Sequence, residues 1–261
     1  MCMQPRIPII VLLLLGLLAA FAATAQEIPR GTVLPVMLNS TLDARHDRPG
    51  QAITGKIMQD VLLPDGSSLP KGARIVGHVI SASRATAGSA SLLAIQLDQI
   101  VVKGRQIPVT THLRALASMN EVFEARLPTN SWDDYGTSTS DWNTVQVGGA
   151  GVYRGSGQVV SGDQVVGRAT DYGAVTAKLM AAPASGCRDA GGDHVREQAL
   201  WVFSPWACGV YGFNDLKIAD SGGSNPVGRI QLESDRNVHV EGGSGWLLQV
   251  ESGTSNPLSA Q

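Results

Sequence analysis

The sequence predicts an all-β protein: a modified β-barrel or sandwich of short antiparallel strands, with at most one short helix and a long Gly/Ser-rich insertion. Its 261 residues include 30 glycines and 13 prolines, and only 16% of them are charged. Aliphatic and β-branched residues come in short alternating runs between turn residues, which is typical of strands. The sequence has no repeat of fixed period, as a solenoid or propeller would require.

Residues 1–25 have the pattern of a secretory signal peptide. Arg6 is the only charge ahead of an apolar stretch that begins at Ile7 and closes with Ala23-Thr24-Ala25 before Gln26. Small residues at these positions predict cleavage after Ala25 and a periplasmic or secreted protein without a membrane span in its mature part. The alternative is a retained anchor, because the stretch approaches the roughly 20 residues that cross a bilayer.

The charge balance of the chain suggests neither nucleic acid nor an anionic membrane surface as a partner. Cleavage would remove one of 20 basic and none of 22 acidic side chains, which changes the net charge from −2 to −3.

Residues 26–127 predict the first half of the barrel. Thr32 to Leu38 predicts a strand that Pro35 restricts to a sheet edge or a bulge. Lys103-Gly104 predicts a tight hairpin turn, because glycine accepts positive φ. Further strands are expected at 53–63, 73–83, 90–102 and 106–113. The one short helix is expected between residues 113 and 127, with one face lined by Leu116, Met119, Val122 and Phe123.

Residues 128–171 predict an inserted polar loop or ribbon. Loops this long are usually functional or disordered, and aromatic residues argue against full disorder. Its Trp132, Tyr135 and Trp142 are therefore candidate interaction residues. A small hairpin is expected within residues 155–167.

Residues 172–251 predict the second half of the barrel, followed by a flexible tail at 252–261. Strands are expected at 200–203, 215–218, 229–232, 237–240 and 246–251. Five aromatic residues lie near Cys208, and they predict either a small packed core or an exposed platform for a sugar or peptide, with the core favoured. These residues are Trp201, Phe203, Trp206, Tyr211 and Phe213.

Cys187 and Cys208 are the cysteines that remain after cleavage. In an oxidising compartment such a pair is most simply one disulfide. A half zinc site is the alternative, but no neighbouring metal-ligand spacing completes it.

The sequence contains no motif that indicates catalysis or cofactor binding. Gly242-Gly243-Ser244-Gly245-Trp246 misses the last glycine of a hydrolase elbow, and Gly149 to Arg154 lacks the third glycine of a dinucleotide fingerprint. Five histidines are spread singly along the chain, without metal-ligand spacing. We therefore expect a protein that is not an enzyme, with no cofactor and no metal.

Several short motifs in residues 28–113 occur in a familiar order. Ile28-Pro29-Arg30-Gly31-Thr32 opens the region, and Pro49-Gly50-Gln51 and Asp65-Gly66 follow. Leu69-Pro70-Lys71-Gly72-Ala73 is the most distinctive piece. This order resembles the C-terminal β-barrel domain of TrbI-like conjugal-transfer proteins, the scaffold subunits of type IV secretion outer-membrane complexes. The turn and loop residues that carry the resemblance are Gly31, Gly50, Asp65, Gly66, Pro70, Lys71 and Gly72.

The resemblance implies a non-enzymatic structural or interaction protein of the cell envelope, related to conjugation or secretion scaffolds. Its expected partners are other envelope proteins or further copies of itself. The family's two-helix hydrophobic insertion has no counterpart in the polar residues 128–171, so pore formation is not expected. The alternative function is a secreted carbohydrate-binding or adhesion module.

Overall fold

The computed structural model describes the strand-rich parts of the chain. The described residues are 28–63, 66–126, 142–147, 151–155, 158–161, 164–169, 175–176, 200–203, 207–219 and 228–252. Their elements, in chain order, are β1 (Val33–Leu38), β2 (Leu42–Asp43), β3 (Ala52–Ile57), β4 (Val61–Leu62), β5 (Ser68–Leu69), β6 (Arg74–Ser83), β7 (Ser91–Val102), β8 (Arg105–Pro108), β9 (Thr110–Ala117), α1 (Met119–Glu124), β10 (Trp142–Val145), β11 (Gly151–Gly155), β12 (Gln158–Ser161), β13 (Gln164–Ala169), β14 (Val175–Thr176), β15 (Gly209–Tyr211), β16 (Leu216–Ile218), β17 (Arg229–Ser234), β18 (His239–Val240) and β19 (Gly245–Ser252).

The protein belongs to the all-β class, as the sequence predicts. A 10-stranded sheet has the order β15-β9-β19-β1-β3-β6-β7-β17-β16, with β8 paired to β7. Strands from both sequence halves therefore share one sheet. All its described pairings are antiparallel except that between β15 and β9.

The sheet curls back toward its own edge because β8 and β9 are separated by Val109 alone. Strand β8 pairs with β7, and the next strand along the chain, β9, pairs with β19. The bend is held where the Val109 N–H donates to the Asp98 carbonyl at 2.9 Å and the Thr111 hydroxyl donates to the Leu97 carbonyl at 3.0 Å. Among the described strands no continuous ladder closes the sheet into a barrel.

The hairpin between β7 and β8 forms where Lys103-Gly104 predicts it. Lys103 has φ 50° and Gly104 has φ 83°. Two consecutive residues with positive φ make the primed turn whose twist matches that of the flanking strands.

Strand β1 lies inside the sheet, so the expectation that Pro35 confines it to an edge or bulge is wrong. β1 pairs with β19 on one side and with β3 on the other. The Pro35 carbonyl accepts a hydrogen bond from the Met58 N–H, beyond the end of the β3 ladder. The backbone N–H and C=O of one strand residue point to the same neighbouring strand. The N–H that Pro35 lacks would therefore point past the end of β3, where no hydrogen bond of the β3 ladder is lost.

Strands β1, β9 and β19 are buried on both faces, whereas β3 alternates between exposed and buried residues. Two-sided burial requires a second layer of structure over the outer face of these central strands. The side chains of Val122 and Phe203 supply part of that layer over Gly245.

Residues 200–203 form a tight turn, not the predicted strand. Leu200 and Phe203 exchange both backbone hydrogen bonds, at 3.1 and 2.9 Å, and Trp201 has φ 58°. The left-handed conformation of Trp201 breaks the extended geometry that its apolar neighbours favour.

The described strands between residues 142 and 176 form a five-stranded sheet in the order β10-β11-β12-β13-β14. It contains the predicted hairpin, in which Ser161 pairs with Gln164. Beyond β10, the Val147 N–H donates to the Val202 carbonyl at 2.8 Å, and the buried Val147 joins the main hydrophobic core.

The turn at Lys71-Gly72 gives a testable prediction. Gly72 has φ 87°, and its N–H donates to the Ile57 carbonyl, while the Lys71 N–H donates to the Asp60 carboxylate at 2.7 Å. We expect Gly72→Val to lower the free energy of unfolding by about 1 to 3 kcal/mol, because a β-branched residue is strained at this φ.

The matched variant Lys71→Ala keeps the backbone N–H and removes an exposed side chain, so we expect a change below about 0.5 kcal/mol. Urea unfolding of both variants measures the difference. Equal midpoints would contradict the tight turn.

Candidate interaction surface

Helix α1 follows directly from the end of β9 and begins with a standard cap. The Ser118 hydroxyl accepts a hydrogen bond from the Glu121 N–H at 3.2 Å. The Ser118 N–H donates to the Tyr211 carbonyl at 3.0 Å, which ties the helix start to β15. The cap satisfies one of the free amides at the helix start and fixes the direction in which α1 leaves the sheet.

One side chain of α1 packs inward. Val122 is buried, and a Cβ placed on Gly245 would lie 2.9 Å from Val122 Cγ2 and 3.1 Å from Phe203 Cζ. Gly245 therefore leaves the space into which Val122 and Phe203 fit. This contact seats α1 on β19.

The helical face predicted from the sequence does not pack as one unit. Leu116 belongs to β9, Val122 is buried, and Met119 and Phe123 are 44% and 61% exposed. Met119 and Phe123 are four residues apart and so lie on the same helix face. Because α1 has only six residues, it cannot bury Met119, Phe123 and Val122 against one strand at the same time.

Met119 of this pair borders a glycine turn between β18 and β19. A Cβ on Gly243 would lie 3.3 Å from Met119 Cγ. Met119, Phe123 and the partly exposed Gly243 make an apolar area, which we call the α1 surface. Glu124 follows Phe123 on the helix, Glu241 lies two residues before Gly243, and both are exposed.

The aromatic residues near Cys208 pack into the core where the structure describes them. Trp201 and Phe203 are buried, and Tyr211 and Phe213 are partly buried against the core. The Tyr211 hydroxyl accepts a hydrogen bond from the Cys208 N–H at 3.0 Å. Trp206 lies outside the described residues. The four described side chains agree with the favoured core interpretation.

Cys208 is disulfide-bonded. Cys187 lies outside the described residues, so the pairing of these two cysteines remains a prediction.

Of the candidate interaction residues in the insertion, Trp132 and Tyr135 lie outside the described residues. Trp142 begins β10, where it pairs with Arg154 of β11. Their interaction role stays a prediction.

The four turn glycines that carry the resemblance have positive φ, which glycine adopts without strain. The φ values of Gly31, Gly50, Gly66 and Gly72 lie between 81° and 87°. Pro70 and Lys71 lead into the turn at Gly72, and Asp65 lies outside the described residues. These positions are spread over several loops, so their role is to shape the chain and not to form one site.

A polar cluster surrounds the buried carboxylate of Asp43. Arg45 Nη2 lies 2.6 Å from Asp43 Oδ2, and the Nδ1 atoms of His46 and His239 lie 3.2 and 3.5 Å from the same oxygen. The Asp43 N–H donates to Asp47 at 2.7 Å. Hydrogen bonds from the Arg45 side chain hold the pKa of Asp43 well below its usual range, although burial acts in the opposite direction. Because Asp43 is paired in this way, the cluster serves to order the loop after β2.

Within the described part of the chain, no three His, Cys, Asp or Glu side chains are grouped to hold a metal ion. No helix among the described residues is long and apolar enough to cross a membrane.

No protein-family model matches the chain, and no curated protein is significantly similar to it.

Proposed function

We propose that the protein is a non-enzymatic structural and interaction protein of the cell envelope, and that it binds another envelope protein through the α1 surface. The exposure of Phe123, which is 61% exposed, is the observation that carries the proposal. An aromatic side chain held on a capped helix is well placed to anchor a protein interface. Its export rests on the signal-peptide pattern of residues 1–25.

The charges beside the α1 surface favour a partner of particular chemistry. Glu124 adjoins Phe123 on the helix, Glu241 lies in the turn that contains Gly243, and both are exposed. A partner that presents an apolar side chain flanked by Lys or Arg would match both the apolar pair and its acidic rim. The relation to type IV secretion or conjugation scaffolds rests on the resemblance of residues 28–113.

The glycan-binding alternative gains no support from the described tryptophan side chains. Trp201 and Trp246 are buried in the core. A sugar platform needs exposed ring faces, so this alternative depends on Trp132, Trp142 and Trp206.

Photo-crosslinking in intact cells tests the proposal. A benzophenone amino acid in place of Phe123 is expected to give an adduct with another envelope protein, identified by mass spectrometry. The matched control is Leu62, which is also a large exposed apolar residue, at 41%.

Three outcomes would contradict the proposal: no adduct from position 123, the same adducts from both positions, or adducts with a second copy of this chain alone. The last would assign the surface to self-association.

A further inference from the structure

We propose that Met119 is an oxidation site that controls partner binding: conversion of its thioether to a sulfoxide by peroxide weakens binding at the α1 surface. This inference deepens the proposed function and rests on it, because it concerns the regulation of the same surface.

Met119 is the most exposed of the methionines that the structure describes. It is 44% exposed at the first position of α1, whereas Met37 and Met58 are partly buried and packed against the core. An exposed thioether meets oxidants in solution more often than a packed one does. Met119 is therefore the described methionine that peroxide modifies first.

The chemical step at Met119 is a two-electron oxygen transfer. Hydrogen peroxide gives one oxygen atom to Sδ: an S–O bond forms, the O–O bond breaks, the sulfur loses two electrons and the peroxide is released as water. Methionine sulfoxide reductases reverse the step with two thiols, which become a disulfide while the oxygen leaves as water. The modification is reversible, as a switch requires.

The sulfur of Met119 lies beside the glycine turn between β18 and β19. A Cβ on Gly243 would lie 3.5 Å from Met119 Sδ and 3.3 Å from Met119 Cγ. Gly243 has φ 93° and no side chain, so the thioether lies next to the backbone of the turn. An oxygen added to Sδ is therefore placed at the border between α1 and this turn.

The amides of the turn are already engaged. The Gly242 N–H donates to the Thr41 hydroxyl at 3.2 Å, and the Gly243 N–H donates to the Leu38 carbonyl at 2.7 Å. The next amide, that of Ser244, donates to a carbonyl within the turn. The turn thus offers no free N–H to a sulfoxide oxygen, and in the free chain water supplies the hydrogen bond that this oxygen accepts.

A bound partner would remove that water. Met119 and Phe123 lie on the same helix face, so a partner anchored on the Phe123 ring also covers the Met119 sulfur. Under an apolar partner side chain the sulfoxide oxygen would lose its hydration without gaining a donor, which is unfavourable for a polar group. Oxidation therefore acts on the bound state and leaves the free chain folded.

Peroxide treatment of the isolated protein tests the site itself. Peptide mass spectrometry follows the sulfoxide at each methionine over time. We expect Met119 to react at least about 5-fold faster than Met37 and Met58, because reactivity follows exposure. Equal rates at the three positions would overturn the assignment of Met119 as the oxidation site.

Native gels of solubilised envelopes test the effect on binding. After partial oxidation with peroxide, we expect Met119 sulfoxide to be about 10-fold enriched in the free chain over the complex, the factor expected for one buried acceptor without a partner. Methionine sulfoxide reductases of both stereospecificities are expected to return the chain to the complex. The same sulfoxide fraction in both bands, or no recovery after reduction, would overturn the proposal.

Met119→Leu is the matched control, because leucine is apolar, similar in volume and unable to form a sulfoxide. We expect it to keep the complex under the peroxide treatment that dissociates the unaltered protein. Met58→Leu changes a packed methionine and is expected to stay as sensitive as the unaltered protein. If Met119→Leu also loses the complex on oxidation, the sensitive group lies elsewhere and the inference is wrong. If this variant forms no complex before treatment, the sulfoxide fractions of the unaltered protein decide.

The regulation and the proposed function fail in different ways. A complex that forms and survives full oxidation of Met119 would contradict the regulation alone. Untreated envelopes without any complex would contradict the proposed function, and the regulation with it.

Discussion

Gly77→Ala is expected to cost more than about 3 kcal/mol of unfolding free energy, enough to prevent cooperative folding in a domain of ordinary stability. A Cβ on Gly77 would overlap the carbonyl oxygen of Gln96 and would lie 2.7 Å from the Cα of Leu97. Both are backbone atoms of the paired strand β7, so no side-chain rotation relieves the overlap. The pairing shifts register between Val76 and Gly77, which brings the two backbones together.

Gly66→Ala is the matched control for Gly77→Ala. Gly66 has φ 81°, and no atom lies within 4 Å of the position that a Cβ would take. Its replacement carries only the cost of positive φ, about 1 kcal/mol. Thermal unfolding followed by circular dichroism compares the two variants. Similar losses would show that the close approach of β6 and β7 is not as the structure describes it.

Phe203→Ala is expected to destabilise the protein by about 3 to 5 kcal/mol. Phe203 is fully buried, lies over Gly245 beside Val122, and forms a bridge with Val147. Its loss would open a cavity in the layer that covers the outer face of β19.

The same substitution at an exposed phenylalanine separates core from surface. Phe123→Ala alters a residue that is 61% exposed and is expected to change the unfolding free energy by less than about 0.5 kcal/mol. Chemical denaturation of both variants gives the comparison. If Phe203→Ala were as mild as Phe123→Ala, the aromatic residues near Cys208 would not belong to the core.

The sequence predicts the fold class well because turns and alternation are local signals. The tight turn at Lys103-Gly104 follows from local sequence alone. The position of β1 could not be predicted in this way. Whether the missing N–H of Pro35 matters depends on where β3 ends, which is a property of the assembled sheet.

The candidate surfaces were harder to predict, for a similar reason. Apolar residues at helical spacing predict a packed face, but which of Met119, Val122 and Phe123 packs is decided by the space above Gly245. Net charge does not show how charges are distributed over the surface, whereas the register of β3 with β6 places Lys56 opposite Arg74. Only tertiary pairing shows how exposed charges are grouped.

The size of the native assembly in solubilised envelopes tests most directly the claim that the protein binds a partner through the α1 surface. Met119→Gln with Phe123→Ser is expected to shift the protein from a larger complex to the size of the free chain on a native gel, with an unchanged melting temperature. The control, Leu62→Ser with Leu92→Ser, replaces two other exposed apolar residues, 41% and 37% exposed, and is expected to keep the complex. A complex that survives the α1 variant, or is lost equally in both variants, would contradict the account.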